Sequence, residues 1–150
     1  MRWTLTLAIC VGLSTLAQAF ELDGFVDGTP KAQVLKKLQA MGFQPNSDNF
    51  GDVDSYRAGP YHPTFCRDTL VFLAKNIEFR EWNSFFEEFV NKYPNPTVGI
   101  LGMGLDIVNV DWVTTDGDFR LTVGVGNDGV RFHTIAAHSK QLSDKLCRAP

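Results

Sequence analysis

Few of the residue types that build catalytic and metal sites are present in this chain. Three histidines and three cysteines occur in 150 residues. No Cys-x-x-Cys pair stands among them, which argues against a dithiol redox centre. A zinc site needs three or four converging ligands, and His62, His133 and His138 do not supply that pattern, so they read as surface or half-buried side chains. Asp116-x-Asp118 lacks the further oxygens that calcium requires and reads as a turn. The glycines Gly99, Gly102 and Gly104 are not followed by Lys-Ser/Thr and do not sit between a strand and a helix, so they do not make a phosphate loop. Ser47, Ser55, Ser84, Ser139 and Ser143 have no nucleophile-elbow context. Basic clusters are lacking as well. Lys36-Lys37 is the longest grouping, and Lys140, Lys145 and Arg148 are scattered, so neither nucleic acid nor an anionic membrane surface is an expected partner. No catalytic residue, metal or cofactor is expected.

What is there begins at the amino end. Arg2 precedes an apolar run from Leu5 to Leu16, and Ala17-Gln18-Ala19 follows as a small-x-small cleavage site, so residues 1–19 read as a secretory signal peptide. The run is too short to span a bilayer, which takes about 20 apolar residues, so no stable membrane insertion is expected once the leader is removed. Ile9 is too bulky beside Cys10 for a lipid-anchor site. Residues 20–150 then form one domain, with 13 cations against 17 acids. Its two remaining cysteines, Cys66 and Cys147, are expected to form a disulfide, as an even pair in an exported protein commonly does. Asn95-Pro96-Thr97 is spoiled as a glycosylation acceptor by its proline, and no other acceptor occurs, which favours the bacterial periplasm as the address.

Along this domain the patterns predict α-β-β-α-β-β-β. Thr29 caps a helix with Pro30 at its first position, Val34, Leu35, Leu38 and Met41 form the apolar stripe, and Gly42 supplies the stop. Strands follow at about Asp52–Ala58 and Thr69–Ala74. Gly59–Cys66, with two prolines and a glycine, is expected to be a surface loop pinned by the disulfide. A helix from about Glu78 to Tyr93 carries Phe79, Trp82, Phe85, Phe86, Phe89 and Val90 on one side and ends at Pro94 and Pro96. Asp106–Thr114, Phe119–Val125 and Val130–Ile135 read as a meander joined by Asp116-Gly117 and Asp128-Gly129 turns, and a polar helix at Ser139–Leu146 returns Cys147 to Cys66. The expected class is α+β: an antiparallel sheet of about five strands with helices packed on one face. A loose duplication, each half a helix followed by strands, is compatible with this order.

The stretch from Phe25 to Phe43, FVDGTPKAQVLKKLQAMGF, resembles the opening of the β-lactamase-inhibitor-protein-like group and the related outer-membrane assembly lipoproteins. In these a glycine and a capping Thr or Ser precede an amphipathic helix that ends in Gly-Phe. The resemblance implies helices packed on one face of an antiparallel sheet, and binding of another protein through the sheet's open face or its loops, without catalysis. It carries over no functional residue.

Two functions are compatible with these features. The first is an exported, non-catalytic protein-binding domain: an inhibitor, a toxin-immunity protein or an envelope accessory factor. Tyr61, His62, Phe65 and Arg67 of the expected loop are its candidate contacts, with Tyr61 and Phe65 as anchors, because tyrosine and arginine dominate interface energetics. Packing beside the disulfide is the other role open to them. The second is a small envelope hydrolase or ligand carrier using a cleft beside the aromatic helix, with Trp82, Phe86 and a buried acid. Glu87 or Glu88 with Asp111 is the carboxylate pair to consider for hydrolysis, though Glu87-Glu88 reads more economically as a solvated face.

Overall fold

A computed structural model describes residues 20–48, 54–93, 95–102, 106–113, 117–125 and 129–147. The expected leader, and Asp116 and Asp128 of the two expected turns, lie outside the described residues. In chain order the elements are β1 (Glu21–Leu22), β2 (Phe25–Val26), α1 (Lys31–Ala40), β3 (Asn46–Ser47), β4 (Asp54–Arg57), β5 (Tyr61–Cys66), β6 (Thr69–Asn76), α2 (Phe79–Lys92), β7 (Thr97–Gly102), β8 (Asp106–Val113), β9 (Asp118–Val125), β10 (Arg131–His138) and α3 (Lys140–Leu146). Strands β1 and β2 form a hairpin, and the other eight form one antiparallel sheet in the order β3-β4-β5-β6-β10-β9-β8-β7. Each half is therefore a helix followed by four strands, and the halves join where β6 pairs with β10.

This corrects the expected class. The described residues are mostly β, with an eight-stranded sheet, a two-stranded sheet and three short helices, not an α+β domain of about five strands backed on one face by helices. Part of the difference is Gly59–Cys66, which is not a loop. Gly59, at φ +57°, and Pro60 turn the chain between β4 and β5, closed by mutual backbone bonds of Ala58 and Tyr61. Pro63 then sits inside β5. Tyr61 aims its N–H and C=O at the β4 side, and Pro63, two residues on, aims the same way. The β4–β5 pairing is interrupted there, running Asp54↔Phe65 and Ser55↔Thr64 and resuming only at Ala58↔Tyr61, so the missing N–H breaks no bond to β6. The segment Thr97–Gly102, where glycines hide the strand pattern, is β7. The third helix, α3, is polar as expected and buries no residue.

One face of the large sheet carries the core. Tyr61, Pro63 and Phe65 of β5, Leu70 and Leu73 of β6, Ile135 and Ala137 of β10, Phe119 and Leu121 of β9, and Val110 and Trp112 of β8 are buried. Val34 and Leu38 of α1, Phe89 of α2, and Phe20, Leu22 and Phe25 at the hairpin close over them. Each such side chain contributes on the order of 1.5–3 kcal/mol by leaving water. Trp112 meets Phe89 and Phe86 edge-on at 5.4 and 6.1 Å, and Phe119 meets Phe89 at 5.1 Å.

Local chemistry sets the helix ends. Pro30, not Thr29, holds the cap position of α1, with ψ 138°, while the Thr29 hydroxyl donates to Val26 O at 2.7 Å. At the other end Gly42 takes φ +88°, its N–H donates to Gln39 O and the Phe43 N–H to Leu38 O, the paired closure that glycine allows.

Cys66 and Cys147 form the expected disulfide, with Cα atoms 5.2 Å apart and a separation of 81 positions in sequence. The bridge and the Ser139 N–H bond to Val71 O both fix α3 to the sheet. Replacing Cys66 by Ser is expected to lower unfolding free energy by about 4 kcal/mol in the chain-entropy treatment. Denaturant melts of parent and variant under oxidising conditions check this, and amide exchange in α3 should rise in the variant.

Candidate binding face

The four expected contact residues separate in the fold. Tyr61 and Phe65 are core side chains, 5% and 1% exposed, so they are not surface anchors. Phe65 packs edge-on against Tyr56 at 5.9 Å, and Tyr61 against Phe25 and Phe43 at 5.4 and 5.8 Å. The Tyr61 hydroxyl donates to Asp23 Oδ2 at 2.7 Å. The same oxygen takes the Lys75 ammonium at 2.9 Å, and Lys75 reaches Glu81 Oε1 at 2.6 Å. Burial alone would raise the Asp23 carboxyl, but hydrogen bonds from Lys75 and Tyr61 outweigh it and hold its pKa low. Burial, then the bond to Asp23, pushes Tyr61 up to about 12. This network fastens the β1–β2 turn to the first turn of α2 and has the character of a structural clamp.

His62 and Arg67 do reach solvent. Arg67 and Asp68 form the two-residue turn between β5 and β6 with φ +48° and +58°, a conformation costly for residues with a Cβ. The turn is held from below: Lys31 donates through its backbone N–H to Asp68 O and through Nζ to Asp68 Oδ1 and Asp54 Oδ2. His62 lies on the sheet face opposite Tyr61 and Phe65, 3.3 Å from the Asn76 amide nitrogen.

That opposite face is laid out in cross-strand rows. In one row Asp118, His138, Phe72 and Thr64 stand in register. In the next are Asp111, Arg120, Ala136, Ala74 and His62, and in the third Asn109, Thr122, Thr134 and Asn76. Apart from buried Asn109 and exposed Arg120 and Asn76, these side chains are half-buried. A cleft of about 330 Å³ is lined by Phe72, Asp111, Asp118, Arg120, Ala136 and His138. Arg120 forms a two-point pair with Asp111, Nε to Oδ1 at 2.6 Å and Nη2 to Oδ2 at 3.2 Å, and that pairing raises its pKa. Thr122 donates to Asn109 Oδ1 at 2.7 Å, and Ser55 and Thr64 share a bond at 3.2 Å. His138 Nδ1 stands 3.8 Å from Asp118 Oδ2, and the Phe72 and His138 rings meet at 6.3 Å.

This face is polar and aromatic in its chemistry. It combines a guanidinium fixed by a carboxylate, a second carboxylate, two imidazoles and an aromatic ring on one sheet. Among the described residues no group of three or more His, Cys, Asp or Glu side chains could hold a metal. The aromatic helix borders a cleft of about 450 Å³ lined by Glu78, Arg80, Glu81, Ser84, Phe85 and Glu88, while Trp82 and Phe86 do not line it. Trp82 stacks on Phe86 at 5.5 Å, and Phe86 leans on Trp112, so these rings extend the core. A cavity of about 300 Å³ does lie between the hairpin and α2, but it is lined by Phe85, Phe89, Tyr93 and their neighbours and not by Trp82 or Phe86.

Sequence reasoning missed Phe72, Asp118, Arg120 and His138 as one group. The alternation of Arg120 and Thr122 with Phe119 and Leu121 marked an open face on β9, but only the register of β6 against β10 brings Phe72 to His138.

Burial, then the charge of Arg57, depresses the His62 pKa below its ordinary 6.5. The unfolded chain then binds the proton more readily than the folded one, so stability is full above about pH 7 and falls as pH drops through 6.5 towards the folded value. Denaturation midpoints across that window are expected to slope downward with acid, and His62→Gln to flatten the slope. Comparison of the chain with protein families, with curated proteins and with solved structures yields no match.

Proposed function

We propose that the protein acts by binding another protein through the open face of its eight-stranded sheet, as an exported inhibitor, toxin-immunity protein or envelope accessory factor. The observation that carries this is the row arrangement that sets Arg120, Asp111, His138 and Phe72 around one cleft on a face whose other side is the core. Arginine and aromatic rings on a rigid support are the groups that dominate interface energies, and a guanidinium already fixed by a carboxylate loses little freedom on docking. The resemblance at Phe25–Phe43 is compatible with this, since it implies binding of another protein through the sheet's open face or its loops. Export is supported by the disulfide, which forms and persists in oxidising compartments such as the periplasm. No helix among the described residues is long and apolar enough to cross a membrane. His62 lies at the margin of this face, while Arg67 is a turn residue beyond it.

The test is affinity capture from the native cell envelope with the parent and with Arg120→Ala, Phe72→Ala and, as a remote control, Arg80→Ala on α2. A stoichiometric protein partner is expected with the parent and the control. Each face variant should lose about 2 kcal/mol or more of binding free energy. Equal capture by all four, or turnover of a cell-wall fragment that is indifferent to Arg120 and Phe72, would contradict the proposal.

A further inference from the structure

The two outer edges of the large sheet differ. One, β3, has two residues with exposed polar side chains, Asn46 and Ser47, and follows Pro45, which blunts it. The other, β7, runs six residues, Thr97–Gly102, with no charge, no proline and full register on β8. Among the described residues no strand pairs with its outer side. Val98 and Ile100 are 61% and 77% exposed, the latter directly opposite Val108. On that same side of the sheet, Phe79, 63% exposed, joins Val108 and Val123 in lining a cavity of about 480 Å³. An unblunted edge beside an apolar patch is a template for strand pairing, and solitary proteins usually protect against it.

We infer that β7 pairs antiparallel with β7 of a second copy of this chain. The strand is complementary to itself. A two-fold axis through Gly99 sets Val98 opposite Ile100 of the other copy, and Ile100 opposite its Val98, on the side that also carries Phe79 and Val108. Cross-strand neighbours lie about 4.5–5.5 Å apart, close enough for these β-branched side chains to cover each other. No charged residue within Thr97–Gly102 meets a like charge in this pairing, so nothing along the strand opposes it. On the other side of the sheet the space over Gly99 is open, since a Cβ there would meet nothing within 4 Å. The pairing continues one sheet through both copies and sets their open faces side by side, making the assembly bivalent.

Sedimentation velocity over a concentration series decides it, using the purified protein and Ile100→Lys. Ile100 is so exposed that lysine keeps the fold, which circular dichroism and an unchanged melt would verify; Val98→Lys is the second variant should Ile100→Lys fail to fold. The parent is expected to sediment at twice the chain mass and the lysine variant at one chain mass, with the amides of β7 exchanging faster in the variant. A parent that stays at one chain mass throughout overturns the inference. So does a dimer that survives the lysine, or a monomer whose β7 is protected only when a foreign protein is added. Since Arg120 and Phe72 lie away from β7, their variants should still dimerise, which separates this result from the fate of the open-face proposal.

Discussion

The pairing of β6 with β10 is the joint on which the rest of this protein depends. Each half of the chain contributes a helix and four strands, and the buried side chains of both belong to one hydrophobic cluster. Their union at Leu73↔Ala137 and Lys75↔Ile135 makes one continuous surface. Leu73, Ile135 and Ala137 are fully buried at that seam. Bonds beyond the ladder extend it at both ends, from Ile77 N–H to His133 O at 2.9 Å and from Ser139 N–H to Val71 O at 2.8 Å. The disulfide then crosses the same joint, tying the end of β5 to the helix that follows β10. A single change of register here would turn every side chain of the second half to the wrong face, so the buried seam specifies the register strongly.

From that joint follows the division of labour between the faces. On one side α1, α2 and the β1–β2 hairpin close over aromatic and aliphatic groups centred on Trp112, Phe89 and Phe119. The clamp of Asp23, Tyr61, Lys75 and Glu81 holds the hairpin turn in place. The other side keeps polar and small side chains in rows, with Arg120 fixed by Asp111 and Phe72 beside His138. A rigid sheet with one buried face can present such a surface without loop ordering, which lowers the entropic cost of binding.

Much of this was legible in the residues and some was not, for physical reasons. The apolar stripe of α1 with its Gly42 stop, the long aromatic α2, the alternation in β8 and β9, and the pairing of Cys66 with Cys147 are local or arithmetic signals. Strand β5 was hidden by Pro63, because proline argues against a strand unless its missing N–H faces a gap, and that gap lies in the neighbour. Strand β7 was hidden by glycines that remove side-chain alternation, and β1, β2 and β3 are two residues each, below any periodic signal. The candidate contacts Tyr61 and Phe65 were misplaced for the same cause: once the segment is a strand, residues two apart share the core face, and His62 between them faces the other way. Phe72 and His138 are 66 positions apart in the chain, and only the β6–β10 register unites them.

The measurement that tests this account most directly is the set of backbone nuclear Overhauser contacts between β6 and β10 in isotope-labelled protein. Contacts joining Leu73 to Ala137 and Lys75 to Ile135 are the predicted result, together with contacts of the Ser139 amide to Val71. Their absence, or a register displaced by one residue, would leave two separate four-stranded sheets or an inverted face, and would contradict the single open surface on which the proposed function stands.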